Sequence, residues 1–421
     1  YGNYRYLEPN WECSYGYYPV GYGDYLMSYL GPPPARTPVT SAQITDASVT
    51  AAKLATDSVT TVKITAANVT AAKIAGGSAL VGKNLVQNGA ITVAQRGTTV
   101  TSPTNGTTLD RWHAQVVGAA AITVSQDTGV AGSGFSYRLK VDCTTVDSSI
   151  AAGDRVHIRQ VIEAQNLQHL EYGNAAAKTL ALTFRVSSPK SGTHCVALYQ
   201  ADGARSYVRE YTVAVADTEE EITVTFPGDA SGTINNDTGA GLYVTFPLIA
   251  GSTYQVAADG WAAGFDFATS NQQNLLDNTA NNFYITGVQL EVGSVATDFE
   301  HEDYGTTLKK CQRYLWRLLG DTTAYAVAGV YNSAATTAEG GMRWPNAMRA
   351  APTITVSAAG DFAVRDTTDQ RTVTNFGTTL SSIYSVRLEI TCSGGGLNDG
   401  NGSQLVFIDN SGNFFQASAE L

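Results

Sequence analysis

At 421 residues the chain has room for two or three domains with ordinary cores. Only 15% of its residues are charged and 43% are apolar, a balance common in β-rich chains with many short strands. The net charge of −11 argues against a nucleic-acid partner held by phosphate neutralisation, and no apolar run reaches the roughly 18 residues that a membrane-spanning helix needs.

The charge is uneven. Residues 1–36 carry −1, residues 37–83 carry +2, residues 84–303 carry −12 and residues 304–421 carry 0. Five cysteines (Cys13, Cys143, Cys195, Cys311 and Cys392) lie far apart with no CxxC pair, which predicts free thiols made in a reducing cytoplasm.

Residues 1–30 hold nine of the 22 tyrosines, plus Trp11. Such a segment has too few aliphatic residues for a core of its own, whereas tyrosines suit large, partly polar interfaces. Residues 1–36 therefore read as a docking segment ordered against another protein, with Tyr4, Tyr6, Trp11, Tyr15, Tyr17, Tyr18, Tyr22 and Tyr25 as its contacts and GPPPARTP as a stiff spacer.

Residues 37–83 repeat a decapeptide, V-T-x-x-K-I/L. Val39, Val49, Val59 and Val69 hold one position, Ile44, Leu54, Ile64 and Ile74 the position five residues on, and Lys53, Lys63, Lys73 and Lys83 recur with them. Steps of five rotate by about 140° on a helix and alternate faces on a flat strand, so neither element would gather these residues on one side. A chain that bends every few residues would turn one aliphatic residue inward each time. Eight aliphatic side chains are too few to close a core alone, which predicts partner copies stacked along an axis: an elongated homotrimeric stalk.

From Asn84 the period becomes two. AITVAQRG, AAITVSQD, SYRLKVDC, KTLALTFRV, THCVALYQ, SYVREYTVAV, EEEITVTFP, GLYVTFPLI, STYQVAA and NFYITGVQLEV read as short strands separated by turn residues, predicting an antiparallel jelly-roll-like β-sandwich over residues 84–303. VIEAQNLQHL (residues 161–170) fits a helix or a strand and loop. HEDYGTTLKKCQRYLWRLLG then opens helix-compatible, and a smaller β tip domain, expected to be a second sandwich, occupies residues 304–421.

No catalytic, metal or cofactor motif appears: His113, His157, His169, His194 and His301 lack paired spacing, no GxSxG elbow occurs, and CSGGGLNDGNG lacks the lysine and helix of a phosphate loop. His194 and Cys195 are neighbours on a predicted strand and so face opposite ways. Glu219, Glu220 and Glu221 read as a solvated turn, and NDGNG (residues 398–402) as a hairpin loop. Binding asks less: rings flanked by amides and hydroxyls suit sugars. Trp112 and Trp261 are expected in the sandwich core, leaving Arg343, Trp344, Tyr325 and Tyr331 of the tip as candidate glycan contacts.

Several stretches carry a resemblance. The V-T-x-x-K-I decapeptides resemble stalk repeats of bacteriophage tail fibres. NLVQNGAITVAQRGTTV…LDRWHA, V-Q-L-E-x-G-x-x-A-T-x-F-E (Val288 to Glu300) and Y-G-x-x-L-x-x-C-Q-R-Y (Tyr304 to Tyr314) are similar to the opening and closing stretches of a sandwich module of phage fibre and appendage proteins. MRAAPTITVS and FQASAEL resemble their tip domains. The resemblance, over residues 38–421, implies a homotrimeric virion fibre with a carbohydrate-binding-like module and a tip touching the host surface. The repeat, with a terminal β domain lacking catalytic motifs, predicts a non-enzymatic protein that binds host-surface polysaccharide. Such a fibre would be assembled in the host cytoplasm and docked to tail or capsid proteins through residues 1–36. A capsid-attached head fibre and a capsular polysaccharide depolymerase are the alternatives.

Overall fold

The computed structural model describes residues 82–320, 326–367, 369–408 and 412–421, all within one compact unit, Thr70–Leu421. The docking tyrosines and Trp11, the eight aliphatic stalk residues from Val39 to Ile74, Cys13 and Tyr325 lie outside the described residues.

In chain order the strands are β1 (Thr99–Thr101), β2 (Asn105–Thr107), β3 (Trp112–Val117), β4 (Ala121–Thr128), β5 (Tyr137–Thr145), β6 (Arg155–Glu163) and β7 (Leu180–Ser187). They continue as β8 (Gly192–Gln200), β9 (Arg205–Val213), β10 (Glu220–Phe226), β11 (Ala240–Ala250), β12 (Trp261–Ala263) and β13 (Asn282–Val292). Eight of the ten period-two stretches form strands, whereas AITVAQRG and STYQVAA form none and β1, β2, β3, β6 and β12 arise elsewhere. Two antiparallel sheets result, of order β1-β4-β5-β13-β7-β10 and β12-β9-β8-β11-β6-β3-β2. Alternate residues of each turn inward onto a shared core in which Phe246 lies 6.3 Å from Trp112 and 5.1 Å from Phe184, ring centre to ring centre. Each buried aromatic or aliphatic side chain contributes roughly 1.5–3 kcal/mol. The ambiguous stretch after Val161 divides: β6 runs to Glu163, and a 3₁₀ helix (Ala164–Leu170) follows until Glu171 turns left-handed at φ 55°.

The motifs at the two ends of the sandwich form a clasp. The Asn84 side chain accepts from Leu290 N (3.1 Å) and Val86 N (3.0 Å) and donates to Val288 O (3.1 Å). Glu300 accepts from the backbone of Gly82 and Asn84, and Lys83 donates to Thr297 and to Asp298 O. Glu291 binds Thr297 twice, at 2.7 Å each, and Gln289 accepts from Glu300 N at 2.8 Å. A side chain at Gly89 would collide with the Val288 carbonyl, which explains the glycine where the two segments cross. The V-Q-L-E-x-G-x-x-A-T-x-F-E pattern is thus accounted for by satisfied backbone groups.

After residue 303 the chain forms α1 (Tyr304–Gln312), capped by Asp303 accepting from Thr306 N at 3.0 Å. Strands β14 (Leu315–Leu319), β15 (Ala326–Ala334), β16 (Thr337–Arg343), β17 (Thr353–Val356), β18 (Phe362–Arg365), β19 (Gln370–Ser381), β20 (Ser385–Cys392), β21 (Gly402–Phe407) and β22 (Phe414–Ser418) follow. Here the expected second sandwich is corrected: β15-β16-β20-β19-β18-β21 close into a six-stranded barrel, and β14-β22-β17 form a small sheet beside it. Alternation reports which residues point inward but not whether the outermost strands meet, and pairing β15 with β21 closes the barrel and removes both edges.

A buried polar seam joins these elements to the sandwich. Glu163 binds the Arg313 guanidinium through both oxygens, at 2.7 and 2.8 Å, and also accepts from the Tyr314 hydroxyl. Arg111, 1% exposed, pairs with Glu420 at 2.9 Å and stacks 3.4 Å from the Tyr314 ring centre. Arg349 donates to Ala419 O, Glu420 O and Thr238 O. Arg313 and Tyr314 belong to the C-Q-R-Y motif, so that signature is also structural.

Candidate functional site on the seven-stranded sheet

The tip residues expected to meet a ligand are not brought together. Arg343 is exposed at the end of β16 and lines an open groove of about 700 Å³ with Gly340, Leu380, Ser382 and Arg387. Tyr331, 50% exposed, lies outside that groove and donates its hydroxyl to Glu339 at 3.0 Å. Trp344 requires a correction. Only 6% exposed, it packs 5.7 Å from Trp316 in the barrel core and donates Nε1 to Ser382 O at 3.0 Å. Its alternation partner Arg343 takes the outward position, and the indole falls into the space under β14, whose position no local pattern reveals.

Trp112 is fully buried as expected, whereas Trp261 is half-buried on the edge strand β12, beside Tyr172 and Tyr207. His194 and Cys195 do point opposite ways, His194 stacking on Tyr211 in the main core and Cys195 reaching Thr269 on the other face. Cys143, Cys195, Cys311 and Cys392 are free and buried, and no group of three potential metal ligands occurs among the described residues.

A different surface carries a concentrated set of polar and aromatic groups. Along β6, Val156, Ile158 and Ile162 turn into the core, so Arg155, His157 and Arg159 project from the outer face of the seven-stranded sheet. Register places Thr245 and His113 across from Arg159, and Gln115 across from His157, while Tyr243 and Tyr199 face each other on β11 and β8. The segment after β11 contributes Tyr254, Phe265 and Phe267 to the same face. Ring centres of Tyr199 lie 5.3 Å from Tyr243 and 4.7 Å from Phe265, and His157 lies 4.8 Å from Phe267. Tyr199, Tyr243, Phe265, Arg159 and Gln115 all remain partly exposed.

The electrostatics of this face are unusual. The Arg159 guanidinium sits 4.9 Å from the Tyr243 ring centre and donates at 3.4 Å to Gln115 Oε1 and to His157 Nε2. A guanidinium only donates, so His157 Nε2 accepts and the ring proton sits on Nδ1, which is buried without a partner. Thr245 Oγ1 and Arg159 Nε are likewise buried and unpartnered. Burial foremost, then Arg159 and Arg155, holds the His157 pKa well below the usual imidazole range, while burial lowers that of Arg159. Rings of this kind pack against the C–H faces of a sugar, and the guanidinium and amide reach its edge hydroxyls.

None of the described residues expected to contact a ligand lies on this surface. The available signal was R-V-H-I-R, basic and aliphatic residues in strict alternation, the pattern of a strand with one apolar and one cationic face.

No protein-family model matches the sequence, and no curated protein matches it. Solved structures with similarity include the family 11 carbohydrate-binding module of a cellulosomal cellulase from Clostridium thermocellum, 13% identical with a TM-score of 0.24 over 44% of this chain and 90% of that one. The xylan-binding domain of carbohydrate-binding module family 22 is 18% identical, with a TM-score of 0.25 over 48% of this chain and 98% of that one. The enzymatically active domain of tailspike protein 4 from bacteriophage CBA120 is 11% identical, with a TM-score of 0.26 over 50% of this chain, which spans only 22% of that domain.

Proposed function

We propose that this protein is a non-enzymatic attachment fibre of a tailed-phage virion, binding host cell-surface glycan through the outer face of the seven-stranded sheet. The observation that carries the glycan reading is the partly exposed set Tyr199, Tyr243, Phe265, Arg159 and Gln115, which joins ring faces to a guanidinium and an amide on one face of the sheet. The fibre reading rests on the register of the decapeptide repeat and on the phage-fibre resemblance of the motifs. Three copies per fibre would turn weak single-site affinity into useful avidity.

Three measurements test this. Purified protein is applied to an array of bacterial surface polysaccharides, and Tyr243→Ala is expected to lower retention about tenfold, as a central aromatic contact commonly does. Unchanged retention would remove this face from the binding site. Release of new reducing ends from a bound polysaccharide would replace the adhesin reading with that of a depolymerase. Electron microscopy of particles labelled with antibody against the protein distinguishes tail from capsid attachment.

A further inference from the structure

We infer that the outer face of the seven-stranded sheet selects acidic glycans, with Arg155 and Arg159 of β6 receiving sugar carboxylates. The inference rests on the glycan-binding role proposed above for the same face.

Residues 84–303 hold 23 acidic and 11 basic side chains, so carboxylates are in excess for every cation in the sandwich. Six of its eight arginines use one: Arg96 and Arg111 pair with Glu420, Arg138 with Asp127, Arg185 with Glu219 and Glu221, Arg205 with Asp229, and Arg209 with Asp259. Arg155 and Arg159 are the two that have no carboxylate within ion-pair distance among the described residues, and both stand on this face. A partly buried guanidinium without a counter-charge opposes folding, and an incoming carboxylate relieves that cost.

The neighbourhood fits a carboxylate in detail. A guanidinium presents a planar fork that engages both carboxylate oxygens. Arg159 is only partly engaged, by two long bonds of 3.4 Å, and because its neighbours Thr245 and His157 are fully buried the guanidinium is the part of this neighbourhood open to a ligand. Arg155 lies two side-chain positions from Arg159 along the same face, on the order of 13 Å away, so the row follows an extended chain of sugars rather than a single anion. The flanking rings of Tyr199, Tyr243 and Tyr254 favour a sugar carboxylate over a bare inorganic ion.

The test uses the full chain and an array carrying neutral polysaccharides, carboxylate-bearing polysaccharides and the carboxyl-reduced forms of the latter. Binding is expected to favour an acidic polymer at least about tenfold over its carboxyl-reduced form, with that preference shrinking as salt is raised. Arg159→Gln is expected to abolish the preference, Arg159→Lys to retain part of it, and Arg155→Gln to reduce it independently. Each variant is first matched to the parent by its thermal unfolding. Binding confined to neutral glycans, or an unchanged preference in both glutamine variants, overturns acid selection while leaving the glycan face standing. Binding to no polymer on the array overturns the glycan-binding reading itself.

Discussion

The two ends of strand β6 treat charge in opposite ways. At Glu163 the carboxylate is fully buried yet receives Arg313, Tyr314 and Gln165, and these contacts tie the sandwich to the elements after residue 303. Four residues earlier on the same face, Arg159 meets, among the described residues, an amide oxygen, an imidazole nitrogen and the Tyr243 ring but no carboxylate. His113, across from Arg159, lies between the two regimes, with Glu420 acting on it from one side and Arg111 and Arg159 from the other. One strand therefore serves as cement where its charges are answered inside the fold, and as a receptive surface where they are not.

Breaking the cemented end has the largest expected effect. Arg111→Leu leaves the Glu420 carboxylate with Arg96 alone in a buried seam, and is expected to cost about 3–5 kcal/mol in urea unfolding followed by tryptophan fluorescence. A loss below about 1 kcal/mol would show the seam to be solvated in solution.

Acid should weaken the same region. Burial foremost, despite Glu420, lowers the His113 pKa to about 4, so its contribution is complete above the unfolded value near 6.5 and is lost as pH falls toward 4. That amounts to about 3 kcal/mol from this residue, and thermal unfolding between pH 7 and pH 4 should show it, with His113→Gln flattening the profile. Glu163 and Glu420 add to the slope further down. Burial would raise both, but Arg313 with Tyr314, and Arg111 with Arg96, hold them below the usual carboxylate range, so their stabilisation is lost as pH falls beneath about 4.5.

A double-mutant cycle on Glu163→Gln and Arg313→Gln sharpens the contrast, since partners in direct contact should couple by about 0.5–3 kcal/mol. A coupling of zero would make the bidentate geometry irrelevant to stability. The smallest effect belongs to the open end: Arg159→Gln should change stability by no more than about 0.5 kcal/mol, and in the stabilising direction, because it removes a cation without a counter-ion. A large destabilisation would mean that Arg159 is structural cement after all.

Much of the strand pattern was legible in the residues. Alternation located most of the sandwich strands, the helix-compatible opening of HEDYGTTLKKCQRYLWRLLG became α1, and Trp112, expected in the sandwich core, is buried there. Barrel closure was not legible, because it depends on β15 meeting β21, whose first paired residues are Ala326 and Val406. Nor was the burial of Trp344, which sits in a turn-rich stretch and is covered by Trp316 from another strand.

For the candidate site the division is sharper. The sequence by itself determined that β6 would carry a cationic face, because R-V-H-I-R alternates and a strand separates alternate residues onto two sides. It could not determine which of those cations would stay unanswered. Ion pairs form in space, and Glu163 meets Arg313 across 150 residues of chain while Arg111 meets Glu420 across 309. Only the folded arrangement, which brings a carboxylate to Arg111 and, among the described residues, none to Arg155 or Arg159, separates cement from receptive surface.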